Sequence, residues 1–109
     1  MSVYSGPTAT IEWNETSMDF GQIIQNKPIV VEFKFQNPGM IPLIITSVKP
    51  SCGCTIADYP KQPIPAGGEG TVSVTFDAKS SGHFSKTISV YTNTTEKITN
   101  LYIKGEVIK

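Results

Sequence analysis

The sequence predicts an all-β domain, an immunoglobulin-like antiparallel β-sandwich of about seven strands. Apolar and polar residues alternate with a period of two in nearly every segment, which is the pattern of strands with one buried face. No segment keeps a helical period over about ten residues. Turn-forming residues separate the segments at intervals of about 8 to 12 residues, a spacing typical of such sandwiches.

Each strand is predicted from its own alternation. The first apolar set occupies every second position of 9–13, and a short apolar stretch follows at 18–20. In the third segment Val31, Phe33 and Phe35 take the inward face. The fourth is more uniformly apolar and reads as a more fully buried strand. The third to seventh segments are 29–36, 43–48, 72–76, 84–91 and 101–107.

Length and charge restrict both the architecture and the partners. A chain of 109 residues fits one domain with one apolar core, which we assign to 9–109, after a flexible leader of loose polar composition at 1–8. Nine basic and nine acidic residues cancel, and all nine basic residues are scattered lysines. Nucleic acid is therefore not an expected partner. No apolar run approaches the roughly 20 residues of a membrane helix, so we expect no membrane insertion of this domain.

Cys52 and Cys54 are the chemically distinctive residues. In an extended strand, residues two apart have Cα atoms about 6.6 Å apart, so a relaxed disulfide is not expected unless Gly53 introduces a kink. We favour the interpretation that both are small buried hydrophobic residues. A redox-active disulfide and a thiolate clamp for a soft metal ion, Cu(I), remain open. Further ligands for such an ion would be His83, Met18 and Met40, or the cysteines of a second chain.

The other polar residues do not form a recognisable catalytic set. His83, the only histidine, falls on the polar side of its strand, and no nucleophile-elbow sequence is present. We therefore expect a domain that is not an enzyme and needs no cofactor, with copper as the alternative. Tyr91 and Tyr102 are predicted to point outward from neighbouring strands, which makes them the candidate partner-binding residues.

Five motifs together carry a family resemblance. In order and spacing, over about residues 10–108, they resemble the bacterial domain-of-unknown-function family 1573, with one departure where that family usually has Pro-Gly-Glu. The departure is Ala66-Gly67-Gly68-Glu69. The five motifs are Asp19-Phe20-Gly21, Phe33-x-Phe35-x-Asn37-x-Gly39, Ser51-Cys52-Gly53-Cys54-Thr55, the segment from Pro65 to Glu69, and Gly82-x-Phe84.

The resemblance implies a fold and a compartment. The family is similar to the Hydin-like and major sperm protein-like branch of immunoglobulin-type sandwiches, and it is common in Bacteroidetes. Its members are often exported, which implies a periplasmic, cell-envelope or secreted location, although no signal peptide is visible in this chain. The resemblance implies no activity.

Two functional hypotheses follow from the sequence. The first is a non-enzymatic extracytoplasmic module that binds an unidentified protein or spaces other domains through its strand edges and end loops. The second is a soft-metal (copper) binding or thiol-redox domain that acts through Cys52 and Cys54.

Overall fold

The computed structural model describes residues 8–109, which form two packed β-sheets. The predicted leader at 1–8 lies outside the described residues except for Thr8. No helix within 8–109 has the length and apolar character to cross a membrane. The strands are β1 (Glu12–Trp13), β2 (Ser17–Ile24), β3 (Ile29–Gln36), β4 (Ile45–Pro50), β5 (Thr55–Asp58), β6 (Glu69–Phe76), β7 (Gly82–Thr92) and β8 (Ile98–Ile108).

The two sheets confirm the predicted immunoglobulin-like sandwich. One sheet has the order β1-β3-β6-β5 and the other has the order β2-β8-β7-β4. The neighbouring strands are antiparallel except for β2 and β8, which run parallel. The chain between β1 and β2 passes from the first sheet to the second, so the N-terminal part of the domain contributes an edge to each sheet.

The core lies between the inward faces that the alternation predicts. Phe33 and Phe35 of β3 pack there with Val72 and Val74 of β6, and all four are buried. Burial of each such side chain contributes about 1.5–3 kcal/mol. The second sheet supplies the opposite side of the core through its buried residues Ile88, Val90, Leu101, Ile103 and Val107.

The prediction of a more fully buried strand at 43–48 is wrong. Ile44 is 40% exposed and Thr46 is also exposed. The physical reason is that β4 lies at the edge of its sheet, where only its inward-facing side chains reach the core and the others contact solvent. Leu43 lies before the strand and forms an isolated bridge with Ile64. The strand β5 is additional to the seven predicted segments.

Asn37 organises one end of the sandwich. Its side chain is fully buried, and its Nδ2 donates hydrogen bonds to the carbonyl oxygens of Ile41 at 2.8 Å and Ile64 at 3.0 Å. Its Oδ1 accepts a hydrogen bond from the N–H of Gly39 at 3.1 Å. One buried amide therefore joins the end of β3 to two separate loops, and its donors and acceptor are satisfied.

The departure from the family pattern lies in a tight turn at this same end. The N–H of Gly68 donates to the carbonyl oxygen of Pro65 at 2.8 Å, and Gly67 has φ 76°. These features define a type II turn, which requires a positive φ at its third residue. Ala66 occupies the second position, where proline is common but other residues are accepted. The substitution therefore leaves the turn intact.

Candidate functional site

The structure joins Cys52 and Cys54 in a disulfide with their Cα atoms 5.4 Å apart. The motif forms the turn between β4 and β5 and is not an extended strand. The expectation that no relaxed bridge would form assumed a strand spacing of about 6.6 Å. The turn brings the two Cα atoms within ordinary disulfide range. Both cysteines are half-buried, so they are not the fully buried separate thiols that we favoured from the sequence.

The hydroxyl of Thr55 lies beside both sulfur atoms. Its Oγ1 is 3.6 Å from the Sγ of Cys52 and 3.7 Å from the Sγ of Cys54. Thr55 is the first residue of β5 and is only 4% exposed. The sulfur atoms therefore share one buried hydrogen-bonding group.

A cavity of about 130 Å³ opens beside Cys54. Aromatic rings and charged groups share its walls, and the rings of Phe76 and Phe84 stack with their centroids 4.3 Å apart. His83, predicted as an additional metal ligand, reaches this cavity. We call this the disulfide cavity; it is lined by Cys54, Phe76, Asp77, Ser80, Ser81, His83, Phe84 and Lys86.

The structure brings together only part of the predicted copper ligand set. Cys54 and His83 share the disulfide cavity, but Met18 packs against the core, and Met40 is 91% exposed in the loop that follows β3. Within residues 8–109, no three or more His, Cys, Asp or Glu side chains are grouped to hold a metal ion. Copper binding through Cys52 and Cys54 stays a prediction, and it requires the disulfide to be reduced first.

A second and larger cavity, of about 350 Å³, lies where β2 is interrupted by a bulge. Gly21 has φ 64°, and its N–H donates to Asp19 Oδ1 at 2.9 Å. The Asp19 carboxylate therefore binds the backbone of the bulge itself. We call the cavity the bulge groove. It is lined by Asp19, Gly21, Gln22, His83, Phe84, Ser85, Lys104, Gly105 and Glu106.

Gly105 of β8 is required for this arrangement. A Cβ atom at residue 105 would lie 2.8 Å from the carbonyl oxygen of Gly21 and 3.0 Å from the ring of Phe84. The missing side chain therefore allows the bulge of β2 and the ring of Phe84 to close on β8 from two sides.

Charged side chains surround the bulge groove without forming a strong ion pair. His83 Nε2 lies 3.8 Å from Glu106 Oε2, and both groups are open to solvent. Exposed pairs of this kind contribute at most about 1 kcal/mol. Gln22 Nε2 donates to Glu106 Oε1 at 3.4 Å, which is a long contact. Glu106, Asp19 and Lys104 therefore remain available to a ligand.

The edge of β2 beside the bulge groove carries unused backbone groups. The N–H of Tyr102 donates to the carbonyl oxygen of Thr16 at 2.8 Å, so Thr16 faces β8. Backbone direction alternates along a strand. The N–H and C=O groups of Ser17 and Asp19 therefore point toward the open edge of the sheet that residues 8–109 form.

Tyr91 and Tyr102 lie on neighbouring strands, β7 and β8, and both point away from the core, as predicted. Tyr91 is opposite Ile98 and Tyr102 is opposite Thr87, which separates the tyrosines by about 13 Å along the strands. They do not form one contiguous aromatic face. Lys49 Nζ lies 5.3 Å from the centre of the Tyr91 ring. A role of either tyrosine in partner binding stays a prediction.

Three of the five family motifs meet at one end of the sandwich. The motifs at 19–21, 51–55 and 82–84 line the bulge groove or the disulfide cavity, and His83 and Phe84 line both. The sequence does not identify Lys104, Gly105 and Glu106 as site residues, because their place beside the motifs depends on the pairing of β8 with β2 and β7. The remaining two motifs meet at Asn37, at the opposite end of β3 and β6.

The disulfide is not expected to carry the stability of the fold. We expect the double variant Cys52→Ser, Cys54→Ser to remain folded and to lose about 1–2 kcal/mol of unfolding free energy, because the bridge closes a loop of three residues only. Urea unfolding followed by circular dichroism measures the change. A variant without a cooperative transition would contradict this prediction.

Comparison with known proteins places this sandwich in a family. A family model described as "Protein of unknown function (DUF1573)" matches residues 11–107. No curated protein sequence matches the chain. A protein of unknown function from Porphyromonas gingivalis W83 has a TM-score of 0.80 at 19% identity, over 96% of this chain and 50% of that one. The chain thus spans half the length of that protein.

Two further solved structures share the fold at low identity. The ASH / PapD-like domain of human CEP192 has a TM-score of 0.74 at 13% identity, over 100% of this chain and 92% of that one. The YadV chaperone has a TM-score of 0.64 at 15% identity, over 91% of this chain and 52% of that one. Such identities show the fold alone. With the family model covering nearly the whole domain, the chain belongs to the DUF1573 family of proteins of unknown function.

Proposed function

We propose that this domain is a non-enzymatic, extracytoplasmic immunoglobulin-like module that binds another protein by adding a strand of the partner to the edge of β2. The observation that carries the proposal is the edge of Ser17–Ile24, whose outer side pairs with no other strand within residues 8–109 and lies directly beside the bulge groove. Main-chain hydrogen bonds along such an edge supply affinity, and a pocket beside it supplies selectivity.

The other edges of the two sheets are less suited to strand addition. The edge strand β1 has two residues and β5 has four. The strand β4 has six residues and ends at Pro50, which has no N–H to donate. The strand β2 has eight residues, and although its bulge after Asp19 divides them, it is the longest strand at a sheet edge within residues 8–109.

The bulge groove indicates the kind of side chain that a partner strand would insert. Asp19, Glu106 and Lys104 present charges of both signs around the floor formed by Gly105 and the ring of Phe84. Such a lining favours a long polar or cationic side chain, whose stem contacts the ring while its end pairs with a carboxylate.

The disulfide supports the extracytoplasmic part of the proposal. Bonds such as Cys52–Cys54 persist in oxidising compartments and are rare where cellular thiols are kept reduced. Fractionation of the native cells, followed by detection of the protein in each fraction, tests this part. Recovery of the protein in the cytoplasmic fraction would contradict an extracytoplasmic location.

Site-specific photo-crosslinking in the native host tests the binding surface. A benzoylphenylalanine in place of Gln22, at the bulge groove, is expected to give one discrete adduct with a partner protein. The matched control carries the same group in place of Glu32, which is exposed on the outer face of the other sheet. We expect no such adduct from the control, because Glu32 lies on the outer face of the other sheet and does not line the bulge groove.

Amide hydrogen exchange then tests the binding mode. With the captured partner bound, the amides of Ser17 and Asp19 are expected to exchange at least tenfold more slowly, because each gains a hydrogen bond. The amide of Val48, on the edge of β4, serves as the internal control. Equal protection at both edges, or adducts at Glu32 only, would overturn the assignment to β2.

A further inference from the structure

The Cys52–Cys54 bridge joins residues that the fold already holds. The two cysteines lie in the turn between β4 and β5, and each of these strands has its own ladder, to β7 and to β6 respectively. The bridge closes a loop of three residues, so it removes little conformational freedom from the unfolded chain. Folding stabilises such a bridge weakly, and its reduction leaves both ladders in place.

The bridge is also accessible. Both cysteines are half-buried, and Cys54, which packs against the core, also lines the disulfide cavity of about 130 Å³, so an incoming group can reach this residue through the cavity without unfolding of the domain. This bridge connects only the two ends of its own turn, so it ties no other element to the fold.

Thr55 gives the sulfur atoms a preorganised hydrogen-bond donor. Its Oγ1 is within 3.7 Å of both Sγ atoms, and no hydrogen bond to another group is formed by this buried hydroxyl within residues 8–109. Whichever sulfur leaves as a thiolate when the bond is broken therefore has a donor in reach. A leaving thiolate that is better stabilised departs faster.

We propose that Cys52–Cys54 is a thiol–disulfide exchange site that accepts two electrons from a dithiol, and that Thr55 is its positioning residue. A thiolate of the dithiol attacks one sulfur, the S–S bond breaks, and a mixed disulfide forms while the other cysteine leaves as a thiolate and takes a proton from solvent. The second thiol of the dithiol then attacks the mixed disulfide. The products are two cysteine thiols and one oxidised dithiol, with two electrons and two protons transferred.

The charged groups around the disulfide cavity have opposite effects on the approach of a thiolate. Lys86 attracts an incoming thiolate, and Asp77 repels it. These groups face the cavity from β7 and from the chain after β6. Thr55 is the neutral member of the site, so its contribution is separable from theirs by substitution.

The test is the rate of reduction of the whole chain by dithiothreitol, followed by alkylation and intact-mass analysis. In the native protein we expect reduction at a rate within about tenfold of that in 8 M urea, with the circular dichroism spectrum of the folded state retained. Glutathione, a monothiol, is expected to give the mixed disulfide. Reduction only after unfolding, at a rate more than about a hundredfold slower than in urea, would overturn the proposal.

Three variants separate the positioning role from a structural one. Thr55→Val keeps the shape and removes the hydroxyl, whereas Thr55→Ser keeps the hydroxyl. We expect Thr55→Val to slow native reduction by roughly three- to tenfold and Thr55→Ser to restore most of the rate. In urea the parent, Thr55→Val and Thr55→Ser chains are expected to be reduced at equal rates. Equal rates of native reduction for Thr55→Val and the parent would show that Thr55 has no role in the exchange site. Ser17→Pro, at the proposed partner edge, is the control, and we expect it to leave the rate of native reduction unchanged.

Discussion

Replacement of Asn37 by alanine is expected to lower the free energy of unfolding by about 2–4 kcal/mol. The Nδ2 of this fully buried side chain is the hydrogen-bond donor to the carbonyl oxygens of Ile41 and Ile64. Alanine leaves both carbonyls without that donor and opens a void at the end of the core. Urea unfolding measures the loss, with the unchanged slope of the transition as evidence for an intact native state.

Two comparison variants make this prediction specific. Asn37→Asp keeps the volume but presents two oxygens to the same carbonyls, so we expect a loss at least as large as that of alanine. Asn93→Ala also removes a side chain that bonds to two backbone groups, the N–H of Ile44 and the carbonyl of Pro42, but this residue is only half-buried and its bonds are open to solvent. There we expect about 1 kcal/mol, because water replaces the lost partners. Equal losses at Asn37 and Asn93 would contradict the role of burial.

The inward faces of the long strands could be predicted from the sequence because alternation is a local property. Phe33 and Phe35 on β3, Val72 and Val74 on β6, and the equivalent residues of β7 and β8 all point inward as the period of two requires. The number of sheets and the sandwich class follow from the same signal. The parallel pairing of β2 with β8 does not, since alternation carries no information about which strands are neighbours.

The bulge groove could not be predicted for the same reason. It depends on a register shift after Asp19 and on contacts such as that of Gln22 with Glu106, which are 84 residues apart in the chain. Period-two reasoning assumes an unbroken strand, and a bulge breaks that assumption at the place where the cavity forms. Gly21 and Gly105 were visible in the sequence, but their shared location required the pairing.

The geometry expected for the two cysteines is wrong because it rests on a similar assumption. The distance expected between Cys52 and Cys54 was that of an extended strand, whereas these residues turn the chain from an edge strand of one sheet to an edge strand of the other. Gly53 was identified as the residue that could close the pair, and it lies in that turn. Thr55 belongs to the Ser51–Thr55 motif, but the sequence does not show that its hydroxyl lies beside both sulfur atoms.

Gly70→Ala is expected to be strongly disruptive for the addition of a single methyl group, with a loss of about 2–3 kcal/mol of unfolding free energy. A Cβ at residue 70 would lie 2.6 Å from Cζ of Phe35 and within 3.2 Å of both Cε atoms. The ring of Phe35 therefore lies directly over the glycine. Phe35 is fully buried and its centroid is 5.1 Å from that of Trp13, so the ring has no free space into which it can move.

The matched control is Gly53→Ala, where a Cβ has no neighbour within 4 Å and the backbone φ is not positive. Both substitutions reduce the freedom of the unfolded chain equally, so the difference between them reports the clash alone. We expect Gly53→Ala to change stability by no more than about 0.5 kcal/mol. In a Phe35→Leu background, Gly70→Ala is expected to cost at least 1 kcal/mol less, because the smaller side chain leaves room for the methyl group. An unchanged cost in that background would mean that backbone strain at residue 70, and not the ring, requires the glycine.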